Sequence, residues 1–444
     1  DGGSGRIAIR YGSVTDYEVL KSKISAATVG GYGGAGTIYL LNTTSGEEEL
    51  IIRGNSTNNN ITYLSHGSKR SVKTMRIENG AHVVLRGNWE VENLYSEGGR
   101  LTQGELLYVT RMSLDGGEYN LIGTTNLVEN SLFTLKGGIV VGLTGTINLD
   151  NVMIEGGSLL QTYKDYEIND MEIVNGTLEL NKKLTASNIN VRGSGIINHA
   201  IGTSTGFDIQ VNRLQIDLGG KIDVTGKSIN TENGQSHAGI GAEDLEGKIH
   251  GDIYEPRSIG SKANQNAGGV VLIQAGELIN NGGIYVNGSG YTGNYGRGGS
   301  GGSINIRVSG IISGNGVYEA NGGDGQGSKD GGSGRIAIRY GSVTDYEALK
   351  SKISAATVGG YGGAGTIYLL NTTSGEEELI LKGNSTNNRN TPIVTFNGRS
   401  SYSFQKITVT GGAKLVLGAG TTLTAGSCIN DGSSTIDTNV VCNN

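Results

Sequence analysis

Between residues 75 and 195, apolar side chains recur in pairs two positions apart. Positions 80, 99, 117, 138, 157, 176 and 194 serve as references, all glycine except Ser194. Five places before them stand Met75, Leu94, Met112, Phe133, Val152, Met171 and Ile189. Three places before them stand Ile77, Ser96, Leu114, Leu135, Ile154, Ile173 and Val191. All but Ser96 are apolar in a chain that is 35% apolar, so composition alone does not explain the pattern. Residues i and i+2 share a face only in a strand. Two places after the references a second, mostly apolar column follows: His82, Leu101, Tyr119, Val140, Leu159, Leu178 and Ile196. A unit of about 19 residues, built from short alternating strands and glycine turns, predicts a β-solenoid whose rungs stack roughly 4.8 Å apart.

The second half keeps this grammar with longer rungs. Gly268-Gly269, Gly301-Gly302 and Gly331-Gly332 each lead an apolar strand, with Gly-rich loops between. Residues 227–267 form the longest unpatterned stretch and are predicted to loop out of the coil; loops of that length often carry function. One helix is expected in each long repeat, opened by the capping box Thr15-Asp16-Tyr17-Glu18 and its equivalent from Thr344.

A long repeat overlies the short one. Residues 1–59 recur at 330–388, differing only at Val19/Ala348, Ile52/Leu381 and Arg53/Lys382. Such near-identity points to a recent tandem duplication. The chain divides accordingly into a first repeat start (1–59), short rungs (60–200), Gly-rich long rungs (201–329), a second repeat start (330–388) and C-terminal rungs (389–444). It opens at Asp1 without a signal peptide and reads as a processed product or a piece of something longer.

The run Gly2-Gly3-Ser4-Gly5-Arg6-Ile7-Ala8-Ile9, followed by Gly33-Gly34-Ala35-Gly36-Thr37-Ile38-Tyr39-Leu40, resembles the glycine-rich right-handed parallel β-helix modules of very large secreted and cell-surface microbial proteins. The resemblance implies an all-β right-handed parallel β-helix and a structural or adhesive role outside the cell. It brings no shared catalytic residues. Polysaccharide lyases, glycosidases and tailspike-like enzymes share the broader superfold, so enzymatic chemistry needs its own test.

Composition narrows the classes further. Glycine supplies 78 of 444 residues and proline only two, which excludes collagen and Pro/Gly-rich linkers. No apolar run reaches the length of a membrane helix. The formal charge of −6, with 17% charged residues, provides no field for nucleic acid. The basic cluster Lys69, Arg70 and Lys73 reads as a solvated loop. The expected partners are copies of the chain itself or neighbouring repeats stacked end to end, and surface glycans.

Motifs for chemistry are weak. The G-x-G-x-x-G matches, among them Gly31/Gly33/Gly36, Gly288/Gly290/Gly293 and Gly360/Gly362/Gly365, are not placed between a strand and a helix. In the calcium-binding pattern G-G-x-G-x-D, Ile7 stands where a carboxylate is needed. The five histidines lack metal-ligand spacing and no CxxC occurs, so neither cofactor nor metal is expected. Gly-His-Gly, a mark of the superfold's galacturonan hydrolases, is absent. Two places before the references stand Glu78, Glu97, Asp115, Lys136 and Glu155, a candidate acidic ladder that could contact a cation or a glycan, or splay into water as an exposed turn column. Cys428 and Cys442 are predicted to form a disulfide that staples the final rung, which points to an oxidising compartment. Candidate N-glycosylation sequons lie at Asn42, Asn55, Asn60, Asn175, Asn287, Asn371 and Asn384.

Overall fold

The structure, a computed structural model, describes residues 3–27, 33–55, 60–65, 69–121, 124–143, 147–231, 235–243, 248–291, 296–386 and 388–443. The chain is all-β, with two short helices among the described residues. It divides into two compact units, one essentially Asp1–Glu179 and the other Asn188–Asn444.

In the first unit, strand β1 (Arg6–Tyr11) pairs in parallel with β2 (Thr37–Asn42). Between them lies helix α1 (Tyr17–Lys23). Its N-cap is Asp16 instead of the expected Thr15, because the Asp16 carboxylate reaches the Val19 amide at 3.0 Å. Strand β3 (Glu48–Arg53) then runs antiparallel to β2. Beyond β3 the strands stack in parallel, beginning with Arg70–Glu78, Trp89–Glu97 and Leu106–Asp115. A second parallel sheet closes each rung, beginning with Ile61–Leu64, His82–Leu85 and Arg100–Gln103.

The predicted inward columns hold. All fourteen residues at the two positions before the references are at most 2% exposed. The polar exception is accommodated, since buried Ser96 accepts a hydrogen bond from Tyr119 Oη at 2.9 Å. The column after the references needs a correction. Register sets the stacked line as Val83, Leu101, Tyr119, Val141 and Leu160, so His82, Val140 and Leu159 stand one residue outside it. At Ile196 the buried residue is likewise the next one, Ile197. The reason is corner length. Four corners carry one extra residue, and in three of them it turns inward as buried Ala81, Ile139 or Ser158. The shorter corners require glycine: a Cβ on Gly99 or Gly176 would lie 2.5 or 2.7 Å from the isoleucine of the rung below.

The second unit begins with long rungs. Strands Phe207–Ile216, Val270–Asn280, Ser303–Ser313, Arg335–Val343 and Thr366–Asn371 pair in parallel. Lys221–Asp223, Gly283–Tyr285, Val317–Glu319 and Ile353–Ser354 form the opposite sheet. Helix α2 (Tyr346–Ser351) repeats α1, with Asp345 as N-cap. Glu377–Lys382 then reverses direction, as β3 does, and leads into Ser401–Thr410 and Thr422–Asn430. The Cys428–Cys442 disulfide closes the last strands, with 5.8 Å between Cα atoms.

At each reversal the core changes sides of the sheet. Ile38, Leu40 and Ile51 cluster beneath Tyr17 and Ile24 of the helical segment. The alternate residues of β3, Leu50 and Ile52, lie in register with Met75 and Ile77 of the next coil. In the second unit Ile380 pairs with Ile367, whereas Leu379 and Leu381 line up with Ile407 and Val409. Reversing strand direction alone would invert the hand of the coil. Moving the core to the other face at the same step preserves it, in keeping with the strong preference for one hand in parallel crossovers.

Residues 227–267 do not stand away from the coil. Ser228 and Ala267 bridge at the base, and the segment folds back so that Ile253 and Tyr254 pack with Ala337, Tyr368, Tyr402 and Phe404.

Candidate functional site

Each strand reversal creates a cavity to which the repeat start contributes the same residues. In the first unit Tyr11, Tyr17, Asn42 and Glu47, Glu48 and Glu49 surround about 360 Å³. In the second, Tyr340, Tyr346, Asn371 and Glu376, Glu377 and Glu378 surround about 450 Å³. The alternation of the reversing strand explains the placement. Glu49 lies on the face opposite Leu50, beneath the helix, and so does Glu378 beneath α2.

Both carboxylates are buried and well partnered. Glu49 accepts from the Tyr17 phenol and from Arg76. Glu378 accepts from the Tyr346 phenol and the Thr408 hydroxyl, with Lys350 at 3.0 Å and Lys406 at 3.4 Å. Burial works to raise the Glu378 pKa, but the hydrogen bonds from Thr408, Tyr346 and Lys350 outweigh it and hold the carboxyl below its usual range. Burial, then the hydrogen bond to Glu49 or Glu378, pushes the Tyr17 and Tyr346 phenols up, so both stay neutral donors. Burial, with the charges of Glu376 and Glu378, raises Tyr340 to about 12. These cavities offer aromatic rings and hydrogen-bond acceptors.

A second polar cluster lies where 227–267 meets the second repeat start. The rings of His237 and His250 stack 4.5 Å apart. His237 is fully buried; its Nδ1 lies 2.7 Å from the Gly301 carbonyl, and its Nε2 meets no partner. Arg335, also buried, donates to the His250 carbonyl at 2.9 Å and to Thr366 at 3.0 Å. Burial, then the charges of His250 and Arg335, pushes the His237 pKa well below its usual value. Burial lowers Arg335 to about 10. The cluster is a buried polar clamp between the excursion and the sheet.

The candidate acidic ladder is interrupted by cations. Arg53 meets Glu78 at 2.9 Å, and Lys136 meets Glu155 at 3.2 Å. Glu97 and Asp115 are neighbours in register, and both are exposed. Among the described residues no group of three His, Cys, Asp or Glu side chains is arranged to hold a metal ion, and no helix is long and apolar enough to cross a membrane.

The sequon asparagines fall into different settings. Asn42 and Asn371 cap the reversal turns, each accepting from two backbone amides. Asn55, Asn60, Asn175 and Asn384 are exposed. Asn287 is engaged on both sides of its amide, donating to Glu319 at 2.9 Å and accepting from the Asn321 amide at 2.7 Å. Of the basic cluster, Lys69 and Lys73 pair with Glu90 and Glu47 at 3.0 and 2.7 Å. His66 lies outside the described residues.

Sequence reasoning missed the buried Glu49/Glu378 pair and the His237–His250–Arg335 cluster. The repeated Glu-Glu-Glu of 47–49 and 376–378 was the available signal for the first. Nothing in the local sequence marks the second, because Arg335 stands 85 residues beyond His250 and 98 beyond His237.

No family model matches the chain, and neither does any curated protein or solved structure.

Proposed function

We propose that this chain belongs to an extracellular structural repeat protein, whose glycine-rich β-solenoid repeats stack end to end into a stiff fibre, filament, sheath or surface hair. The observation that carries the reading is the recurrence of the repeat start. The same 59 residues, with three substitutions, twice make the same reversal and twice open a new coil. A module that restarts the coil in this way suits indefinite tandem extension. The disulfide fits an oxidising compartment, and adhesive contacts fall to the loops. Electron cryo-microscopy of the native assembly tests the reading. The expected result is a continuous filament with layers near 4.8 Å and a longer repeat of about 60–75 Å. Compact particles would contradict it.

The paired cavities favour glycan binding as a second reading, since tyrosine faces beside carboxylates suit sugar rings and hydroxyls. Glycan-array binding without turnover supports it, and Tyr11→Ala and Tyr340→Ala should each weaken that binding. A polysaccharide lyase or glycosidase draws no comparable support from the ladder. Release of unsaturated or reducing sugars from uronic-acid polymers or neutral glycans would reverse that ranking.

A further inference from the structure

The two repeat starts carry nearly the same residues in different surroundings, and the second shows what the first is built to receive. Its glycines make the point most sharply. A Cβ on Gly332 would lie 1.9 Å from the Gly239 carbonyl, and one on Gly334 would lie 2.0 Å from the Gly302 carbonyl. The backbone of 201–329 comes so close that no side chain fits. At the equivalent Gly3 and Gly5 a Cβ would meet nothing within 4 Å. The first copy therefore keeps two glycines whose steric reason exists only in the second.

The neighbouring side chains repeat the lesson. Arg335, Ile336, Ala337, Ile338 and Tyr340 are at most 3% exposed. Their counterparts Arg6 and Ala8 are exposed, and Ile7, Ile9 and Tyr11 are half-buried; Arg10 is exposed where Arg339 is half-buried. Three elements cover the second copy. Strand Ser303–Ser313 pairs beside it, with Ile304 opposite Ile336 and Ile306 opposite Ile338. Val317–Glu319 pairs with Ile353–Ser354; the equivalent Ile24 and Ser25 form no strand. The excursion covers the outer face: the His250 and Tyr254 carbonyls accept from Arg335 and Arg339, and the Tyr254 ring lies 4.9 Å from Tyr368. Among the described residues of the first unit, β1 has a strand, β2, on one side only.

We infer that the open edge of β1, with the outer face formed by Ala8, Arg10 and Tyr39, is an interaction surface whose partner is a segment like residues 201–329 from another repeat of this protein. The partner adds a parallel strand along Arg6–Tyr11, a known route to specific association through sheet edges. It brings glycine backbone against Gly3 and Gly5. Its excursion supplies carbonyl acceptors to the Arg6 and Arg10 guanidiniums, which could not otherwise be buried without loss. An unrelated β-strand would satisfy the edge but neither the glycines nor the arginines. The inference rests on the tandem-repeat reading for the source of the segment, and it names the surface at which repeats join.

The test extends the full chain by a copy of residues 201–329 placed before Asp1. The new junction, Lys followed by Asp, reproduces the natural Lys329–Asp330 step. Hydrogen exchange is followed by mass spectrometry on peptides that run through Val19 or Ala348, the difference between the copies that lies nearest to residues 7–11 and 336–340. The expected result is a slowing of exchange over residues 7–11 by about two orders of magnitude, to the rate of residues 336–340. Unchanged exchange in the first copy, with the second copy still protected, would overturn the inference. A second variant separates specific docking from general stiffening. Gly5→Ala should leave the 444-residue chain as stable as before, yet abolish the protection gained in the extended chain. Retained protection in that variant also overturns the inference. The readout needs no filament. Protection with a globular native assembly would sink the fibre reading alone, and filaments without protection would sink the docking alone.

Discussion

Residues 6–11 and 335–340 spell the same hexapeptide, Arg-Ile-Ala-Ile-Arg-Tyr, and form the same strand. One is half open to solvent and the other is buried from both sides. The alternation within the peptide fixes which residues share a face, and both copies obey it. Whether a face is covered depends on segments far away in sequence. A buried arginine illustrates the difference in consequence: Arg335 needs the His250 carbonyl and Thr366, whereas Arg6 can be hydrated.

Paired substitutions turn this contrast into energies. Ile338→Ala should cost about 3–4 kcal/mol, and Ile9→Ala about 1 kcal/mol, because only the former leaves a closed cavity. Denaturant titration of the two variants checks the ratio; equal losses would remove the distinction between the copies. The ends of the two coils differ as well. The coil after the second repeat start is stapled by Cys428–Cys442, so Cys442→Ser should destabilise that unit by about 3 kcal/mol on the chain-entropy argument. Thermal unfolding with and without reductant should show the same loss, and no change in the first unit.

The excursion covers the second copy, and its histidines make that covering sensitive to pH. The pKa of His237 and that of His250 are both lowered from 6.5, mainly by burial. Below pH 6.5 the unfolded chain therefore binds protons that the folded chain refuses. Stability is full above that value and falls as pH drops below it, by up to about 1.4 kcal/mol per histidine and pH unit. His237→Gln should flatten the fall between pH 6.5 and about 5, as read by denaturant titration across that range. The depressed Glu378 contributes in a separate window. Its stabilisation is present above its ordinary value of 4.5 and is lost as pH falls through its lower folded value.

The smallest difference is expected where the copies agree. Tyr17→Phe and Tyr346→Phe each remove one hydrogen bond to a buried carboxylate, and each should cost about 1–2 kcal/mol. Unequal losses would show that the two reversals are less alike than their geometry indicates.

The short rungs are legible in the sequence because each inward column repeats every 18 to 21 residues, and stacking places like residues in contact. Met75, Leu94 and Met112 form such a column, visible from their spacing alone. The column after the references is offset by one residue in several rungs, since corner length varies with a single inward residue such as Ala81. The disulfide is legible from two cysteines near the end of the chain. The strand reversal is not. Leu50, Ile51 and Ile52 form a continuous apolar run because β3 faces two cores, and such a run carries no alternation to read. The folding back of 227–267 is also hidden, because its contacts are backbone carbonyls and single side chains without a period.

The most direct measurement is hydrogen exchange on the unmodified 444-residue chain, comparing the peptides that run through Val19 and Ala348. Residues 336–340 should exchange far more slowly than residues 7–11, by about two orders of magnitude or more, despite their identical sequence. Equal rates would contradict the claim that distant covering segments, and not the local sequence, set the state of each repeat start.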